Sequence, residues 1–387
     1  MSTETTHNAW QDIRLRGFAD LALLAEAWHW LDATPAPLVH ETIGISDAAG
    51  RILAETVTAG SDLPSADTAT TDGYAVNATE TEGASAYNPL VFSLSSTGST
   101  PCACPVVAGS ALPAGYDAIL DFGAISQVGQ NRMEILAPAS PGDGVAPRAS
   151  TIRAGATALA AGRRLRPQDI ALLGVLGIAE LRVIRRPRVA LTVAGPKTGT
   201  ADALTPMLRA LIVRDGGQPV QANSAADVIL IAGRSGAGGD DIAALDLIAA
   251  GGTMTLHGIA IRPGISSGCG TLGLGPGPVI LLPGDPPACL AAYDLLAGRL
   301  IRRLAGLPAE LPYRAVSLPL GRKIVSMIGL ADIVPVIIAN GTATPAGAAG
   351  ACPLTAFTRA DGFVMVPETL EGHAAGDTVR IYLYDPA

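Results

Sequence analysis

Leu281-Leu282-Pro283-Gly284-Asp285-Pro286-Pro287, read with His257-Gly258-Ile259-Ala260-Ile261-Arg262-Pro263-Gly264 upstream, decides how this chain folds. Each stretch places a Pro-Gly turn at the end of an apolar, strand-like run. The later turn leads into a helical pattern over residues 288–304. A strand, a glycine turn and a helix N-terminus bring free backbone N–H groups and the positive end of the helix dipole to one place, which suits an anion. Two such turns in one α/β unit point to a pocket for a phosphorylated ligand.

Outward from these turns the pattern stays α/β. Residues 189–193 read as a buried strand, 204–214 as a helix stopped by Gly216-Gly217, and 227–231 as a second strand. Residues 241–250 read as a helix closed by Gly251-Gly252, 254–261 as a third strand and 279–282 as a fourth. This alternation predicts a largely parallel, doubly wound sheet. Ligands of such sheets sit beyond the carboxyl ends of the strands. The Gly/Pro loops after Val193, Ile231, Ile261 and Leu282 all fall at that edge.

The flanks read differently. Residues 18–31 have the spacing of an amphipathic helix. Between 88 and 135, short apolar runs alternate with Gly, Ser, Pro and Asn, the pattern of a small β domain. Pro167-Gln168-Asp169 opens a short helix that Gly177 ends. Arg185-Arg186-Pro187-Arg188 reads as a basic linker with solvated charges. Residues 310–387 are strand-like again, for a small barrel or sandwich.

Composition narrows the classes. With 387 residues the chain is long enough for several domains. A net charge of -8 argues against a general nucleic-acid binder, which needs a basic face. The polar start has no apolar signal-like run, no stretch reads as a membrane span, and an odd five cysteines give no disulfide framework. The cytoplasm is the expected location. Cys102 and Cys104, a CxC between prolines, read either as half a metal site or as an ordinary loop.

Four blocks carry a family resemblance. They are Gly50-Arg51-Ile52-Leu53-Ala54-Glu55 with Thr71-Asp72-Gly73-Tyr74-Ala75-Val76; Leu112-Pro113-Ala114-Gly115-Tyr116-Asp117-Ala118; Arg262-Pro263-Gly264 with Leu282-Pro283-Gly284-Asp285-Pro286; and 354–366 with Gly376-Asp377-Thr378-Val379. In this order, over nearly the whole chain, they resemble the MoeA family of molybdopterin molybdenumtransferases, whose eukaryotic counterpart is the gephyrin E domain. The resemblance implies a multidomain α/β plus β protein with an elongated protomer. A discontinuous N-terminal and linker α+β domain would span 15–77 and 140–186, with a small inserted β domain at 78–139. A molybdopterin-binding-like, doubly wound α/β domain would follow at 187–306 and a C-terminal β-barrel at 307–387. It further implies a homodimer, molybdopterin or adenylyl-molybdopterin and molybdate as substrates, and Mg²⁺ in catalysis. A molybdoenzyme or another cofactor-biosynthesis protein is the implied partner, with no nucleic acid and no membrane.

The family's glycines and prolines survive better than its charges. Where the family has an acidic "TGDE", this chain has Ala194-Gly195-Pro196-Lys197; "SGGVSVGDYD" has become Ala232-Gly233-Arg234-Ser235-Gly236-Ala237-Gly238-Gly239-Asp240-Asp241. "LPGNP" keeps its turn with Asp285 for Asn. The resemblance places Asp72, Asp227 and Asp241 in catalytic positions. It places Gly195, Lys197, Gly233, Ser235, Arg262, Pro263, Gly264, Pro283, Gly284 and Asp285 around the ligand. Asp240 and Asp241 read as magnesium ligands or as caps of the following helix. Asp72 reads as a turn residue or a cleft carboxylate, and Arg262 as the phosphate cation. Asp285 reads as a helix cap that would repel a phosphate, and Lys197 as a point charge in place of a metal. These losses leave two functions open: a transferase with altered catalysis, or a pterin-binding carrier, chaperone or regulator.

Overall fold

The computed structural model describes residues 10–94, 101–128, 131–194, 202–221, 225–273, 277–348, 350 and 352–385. The chain forms two compact units. One takes Thr42–Ala49 and Leu53–Arg182; the other takes Met1–Glu41, Gly50–Ile52 and Val183–Ala387.

The second unit is built on a six-stranded sheet. Its strands are β1 (Arg188–Val193), β2 (Gln218–Val220), β3 (Val228–Ala232), β4 (Gly252–His257), β5 (Gly268–Leu272) and β6 (Pro278–Leu282). They lie in the order β2-β1-β3-β6-β5-β4. The first four in that order are parallel, and β5 runs antiparallel to both β6 and β4. The helices are α1 (Leu204–Arg214), α2 (Ala243–Ala249), α3 (Pro286–Ala292) and α4 (Gly298–Leu304); a π-helical turn, Tyr293–Ala297, joins the last two.

Side chains alternate across a strand, and the core divides accordingly. Val228, Leu230 and Ala232 of β3 pack with Ile280 and Leu282 of β6 against α1 and the α3–α4 stretch. Val279 and Leu281 of β6 face the other way, with Ala243, Ala244 and Leu247 of α2. Helices cover both faces, so the sheet is doubly wound. In α1, Leu204, Leu208 and Ile212 recur every fourth residue and are the buried ones. Each such burial contributes about 1.5–3 kcal/mol before conformational entropy is counted. The helix ends at Asp215, where Gly216 takes a φ of 84° that a larger residue adopts poorly.

Two features depart from the sequence reading. Strand β5 was not legible because glycines interrupt it: a Cβ at Gly270 would lie 2.1 Å from the Thr253 carbonyl oxygen. The run 254–261, expected as one strand, is broken. β4 ends at His257, Gly258 turns with φ 89°, and Ile261–Arg262 joins a second sheet in parallel with Ala331–Asp332.

That second sheet combines Ile261–Arg262 with Arg314–Pro319, Ala331–Ala339, Thr342–Pro345, Gly362–Val366 and Thr378–Leu383. A bridge between Leu320 and Ala343, with Gly321 N–H donating to the Ala343 carbonyl at 2.8 Å, curls it back on itself. Val334, Val336, Val364, Val366 and Ile381 fill its inside.

The other unit carries the small β sheet. Gly73–Val76 lies between Cys102–Val106 and Ala118–Leu120, and Leu90–Leu94, Arg132–Ile135 and Ile125–Gln127 continue it. Gly73–Val76 brings the residues just before 78 into this sheet. Cys102 and Cys104 sit on a strand, not in a loop, and both are buried. Among the described residues no helix is long and apolar enough to cross a membrane.

Candidate functional site

At the carboxyl edge of the parallel strands the backbone crowds. Gly233 N–H donates to the Leu282 carbonyl at 2.9 Å, and Ala194 N–H to the Ala232 carbonyl at 2.7 Å. A Cβ on Gly233 would lie 1.9 Å from the Ala194 carbonyl oxygen, and one on Gly284 would lie 3.3 Å from Gly233 Cα. Gly233 requires glycine, and Gly284 leaves little room for more, because three strand ends meet there. Ser235 Oγ donates to the Leu282 carbonyl at 3.2 Å and lies 3.3 Å from Ser266 Oγ. The loop that follows Pro263 is thereby joined to the one after β3. Gly264 lies against the start of α3, where a Cβ would sit 3.5 Å from the Ala288 carbonyl oxygen. Gly233, Ser235, Gly264 and Gly284 thus share one edge, with Pro283 in the turn that follows β6. Gly195 and Lys197 lie outside the described residues.

The loop after β3 turns sharply, with φ 89° at Gly233 and 54° at Arg234. Among the described residues the N–H groups of Arg234, Ser235 and Gly236 and the Arg234 guanidinium make no hydrogen bond, and Arg234 has no ion pair. Such donors are what an oxyanion takes up. Arg234 is the cation that sequence reasoning passed over. Its signal was there: a basic residue directly after a glycine that ends a strand. His257 fixes the loop from below. Trp10 Nε1–H donates to His257 Nδ1 at 3.1 Å, so Nε2 carries the proton and donates to the Ser235 carbonyl at 2.8 Å. Burial lowers the His257 pKa, against the opposing pull of the Ser235 bond and of Asp241.

Several sequence candidates have other duties. Arg262 is tied to the buried carboxylate of Asp332, Nε to Oδ1 and Nη2 to Oδ2, both at 2.6 Å. It belongs to the barrel's ion pair, so its charge is already met by Asp332. Asp227 stands at the amino end of β3, away from the ligand edge. It accepts two bonds from Arg185, at 2.7 and 2.9 Å, and one from Arg188 N–H at 2.7 Å. Burial works to raise its pKa, and the bonds to Arg185 and Arg188 outweigh that and lower it. The structure thus places Asp227 and Asp241 at opposite ends of β3. In the other unit, exposed Asp72 accepts Ala108 N–H at 2.7 Å through Oδ1, which braces a loop.

The helix start is also less open than its motif suggests. Pro286 and Pro287 have no N–H, Ala288 N–H donates to Asp285 Oδ2 at 3.2 Å, and Cys289 N–H donates to the Asp285 carbonyl. Asp285 therefore caps α3, and the first turn has no donor left for an anion; the Gly284 and Asp285 N–H groups remain. Asp241 Oδ2 accepts Gly238 N–H at 2.7 Å, and the N-cap of α2 is Ile242. Neither Asp240 nor Asp241 caps that helix, and the exposed Asp240 makes no hydrogen bond among the described residues.

The family model for the MoeA N-terminal region (domain I and II) matches residues 23–177, and that for the MoeA C-terminal region (domain IV) matches 317–384, together more than half of the chain. The chain belongs to the MoeA family. A Methanocaldococcus jannaschii protein named for molybdopterin biosynthesis is 26% identical over 377 residues, 88% of this chain and 91% of that one. Molybdopterin molybdenumtransferase 2 of Mycobacterium tuberculosis is 26% identical and covers 88% of this chain and 94% of its own. A crystal structure of the molybdopterin biosynthesis moeA protein from Pyrococcus horikoshii superposes with a TM-score of 0.72 at 28% identity, covering 95% of this chain and all of that one.

As a MoeA-like protein of molybdenum-cofactor biosynthesis, the chain has to be tested for magnesium. That ion takes one or two carboxylates, with waters and substrate phosphates completing its shell. Asp240 and Asp241 are the acids of the β3 loop, and Asp241 already serves Gly238. Among the described residues no cluster of three His, Cys, Asp or Glu could hold a metal. Asp240, which makes no hydrogen bond among the described residues, and Asp241 are the two carboxylates of this loop that would enter the magnesium shell.

Proposed function

We propose that this chain binds molybdopterin, free or adenylylated, at the carboxyl edge of β1, β3 and β6 and brings it together with molybdate, without a resident magnesium ion. One observation carries the reading. In the β3 loop, Arg234 and three consecutive N–H groups stand without partners among the described residues, while the Asp241 and Asp285 carboxylates are engaged with Gly238 and Ala288. A phosphate needs cations and N–H donors, and here it finds them without a bridging metal. Relatives named molybdopterin molybdenumtransferase support molybdopterin and molybdate as the substrates. We add to this cationic set Lys197, which follows Val193 in the sequence. The proposal further includes the homodimer of the family and a molybdoenzyme or other cofactor-biosynthesis protein that receives the product.

A second reading has its own support. Arg262, Asp227 and Asp285 have been taken over by structural bonds, which favours a non-catalytic carrier, chaperone or regulator. The two part on AMP release from adenylyl-molybdopterin by the purified protein. Molybdate-stimulated release supports the transferase, and tight binding without release supports the carrier. No binding contradicts both.

A further inference from the structure

At the opposite end of β1 from the ligand edge, the second unit has a cavity of about 370 Å³ lined by Glu41, Arg51, Arg185, Arg186, Arg188 and Gln218. Arg188 and Gln218 are the first residues of β1 and β2. A six-residue strand therefore separates this cavity from the carboxyl edge, a span of roughly 17 Å at ~3.3 Å per residue.

Four guanidinium groups share the space, and two are accounted for. Arg185 is held by Asp227 through two bonds. Arg51 pairs with Glu41 and donates to the Ile184 carbonyl at 2.9 Å. The side chains of Arg186 and Arg188 make no hydrogen bond or ion pair among the described residues. They flank the buried Pro187, and residues two apart on an extended chain share a face. The segment that the sequence presents as a solvated linker is thus the wall of a cavity where four guanidinium groups face two carboxylates, Glu41 and Asp227, an excess of two positive charges.

We propose that this cavity is a second anion site, for a small phosphate-bearing ligand with two negative charges. A phosphomonoester or a diphosphate carries about that charge at neutral pH, whereas a single carboxylate carries half of it. Guanidinium forks match phosphate oxygens bidentately, and the Gln218 amide adds a neutral donor and acceptor. The volume is in the range of small-ligand pockets, roughly 300–1,000 Å³.

Calorimetric titration of the full-length chain with inorganic pyrophosphate tests this. The expected result is binding that weakens as salt rises and that falls at least about tenfold in the double variant Arg186→Ala/Arg188→Ala, the loss of one or more charge-assisted bonds. Arg186→Glu, a single change at an exposed residue, serves where the double variant does not fold, and should weaken binding as much. Because the carboxyl edge also offers donors to an oxyanion, the titrations are made in the Arg234→Ala background, where pyrophosphate affinity that falls with Arg186→Glu belongs to this cavity. The proposal is overturned by an absence of pyrophosphate binding in that background, or by unchanged affinity in the Arg186 and Arg188 variants.

Discussion

Arg262 and Asp332 form a two-bond ion pair, Nε to Oδ1 and Nη2 to Oδ2 at 2.6 Å each, with the Asp332 side chain fully buried. The two residues are paired neighbours in register, on Ile261–Arg262 and Ala331–Asp332, so the bond pins the loop after β4 to the barrel. Ser326 Oγ–H donates to the same carboxylate. Removing the arginine would strand a buried negative charge. Arg262→Ala is therefore expected to destabilise the protein by about 3 kcal/mol in urea unfolding. A phosphate-binding arginine would instead leave stability nearly unchanged and lower ligand affinity.

Arg234 is expected to behave in the opposite way. Its φ of 54° is a left-handed backbone that costs a non-glycine residue about 1–2 kcal/mol. In Arg234→Gly, relief of that strain offsets the added freedom of the unfolded chain, so stability should hold to within about 1 kcal/mol. Molybdopterin affinity should nevertheless drop about tenfold or more, since a charge-assisted bond to phosphate is gone. Parallel unfolding and ligand titrations of this one variant separate the two effects. Lost stability with unchanged affinity would make Arg234 structural.

Asp285 carries a negative charge to a site that should receive a phosphate. Asparagine, the residue the family resemblance places there, caps a helix equally well. Asp285→Asn should change stability by less than about 0.5 kcal/mol and tighten molybdopterin binding roughly three- to tenfold, the order of one repulsive charge pair near a protein surface. Asp285→Ala should lose about 1 kcal/mol of stability with the Ala288 bond. Weaker ligand binding in the asparagine variant would show that the carboxylate is needed, as a metal bridge would require.

His257 links the loop to pH. Its folded pKa lies below the ordinary 6.5, chiefly from burial, and its neutral form holds both Trp10 and the Ser235 carbonyl. Above about pH 6.5 folded and unfolded chains are both neutral there, and the contribution is constant. Below that value the unfolded chain takes up a proton that the folded chain resists, so stability falls until pH passes the folded pKa. Wild type should lose stability between about pH 7 and pH 5 relative to His257→Gln. Parallel pH profiles of the two proteins would contradict this account.

The sequence exposed the backbone of the site better than its charges. Gly233 could be placed because the close approach of the strand ends admits no Cβ there, and Gly264 because its φ of 132° favours glycine; a glycine after an apolar run shows such a requirement directly. The partners of Arg262 and Asp227 were not legible because a charge is read by its neighbours in space. Asp332 and Arg185 lie 70 and 42 residues away from them in the chain, and no periodicity announces such a partner. The break of 254–261 was hidden for a related reason. Ile259, Ala260 and Ile261 are all buried, and a buried run reads the same whether it continues one sheet or crosses to another. Pro286 and Pro287 were in plain view, and their missing N–H groups could have tempered the anion reading of the helix start.

The central claim is that the carboxyl edge holds its anionic ligand with Arg234 and backbone N–H groups and not through a metal. The most direct measurement is the Kd for adenylyl-molybdopterin in EDTA and in saturating magnesium, for the wild type and for Asp241→Ala. The account expects the same affinity in both buffers and in both proteins, weakening with added salt as point-charge binding does. An affinity at least about tenfold tighter in magnesium, lost in Asp241→Ala, would contradict it and restore a metal to the site.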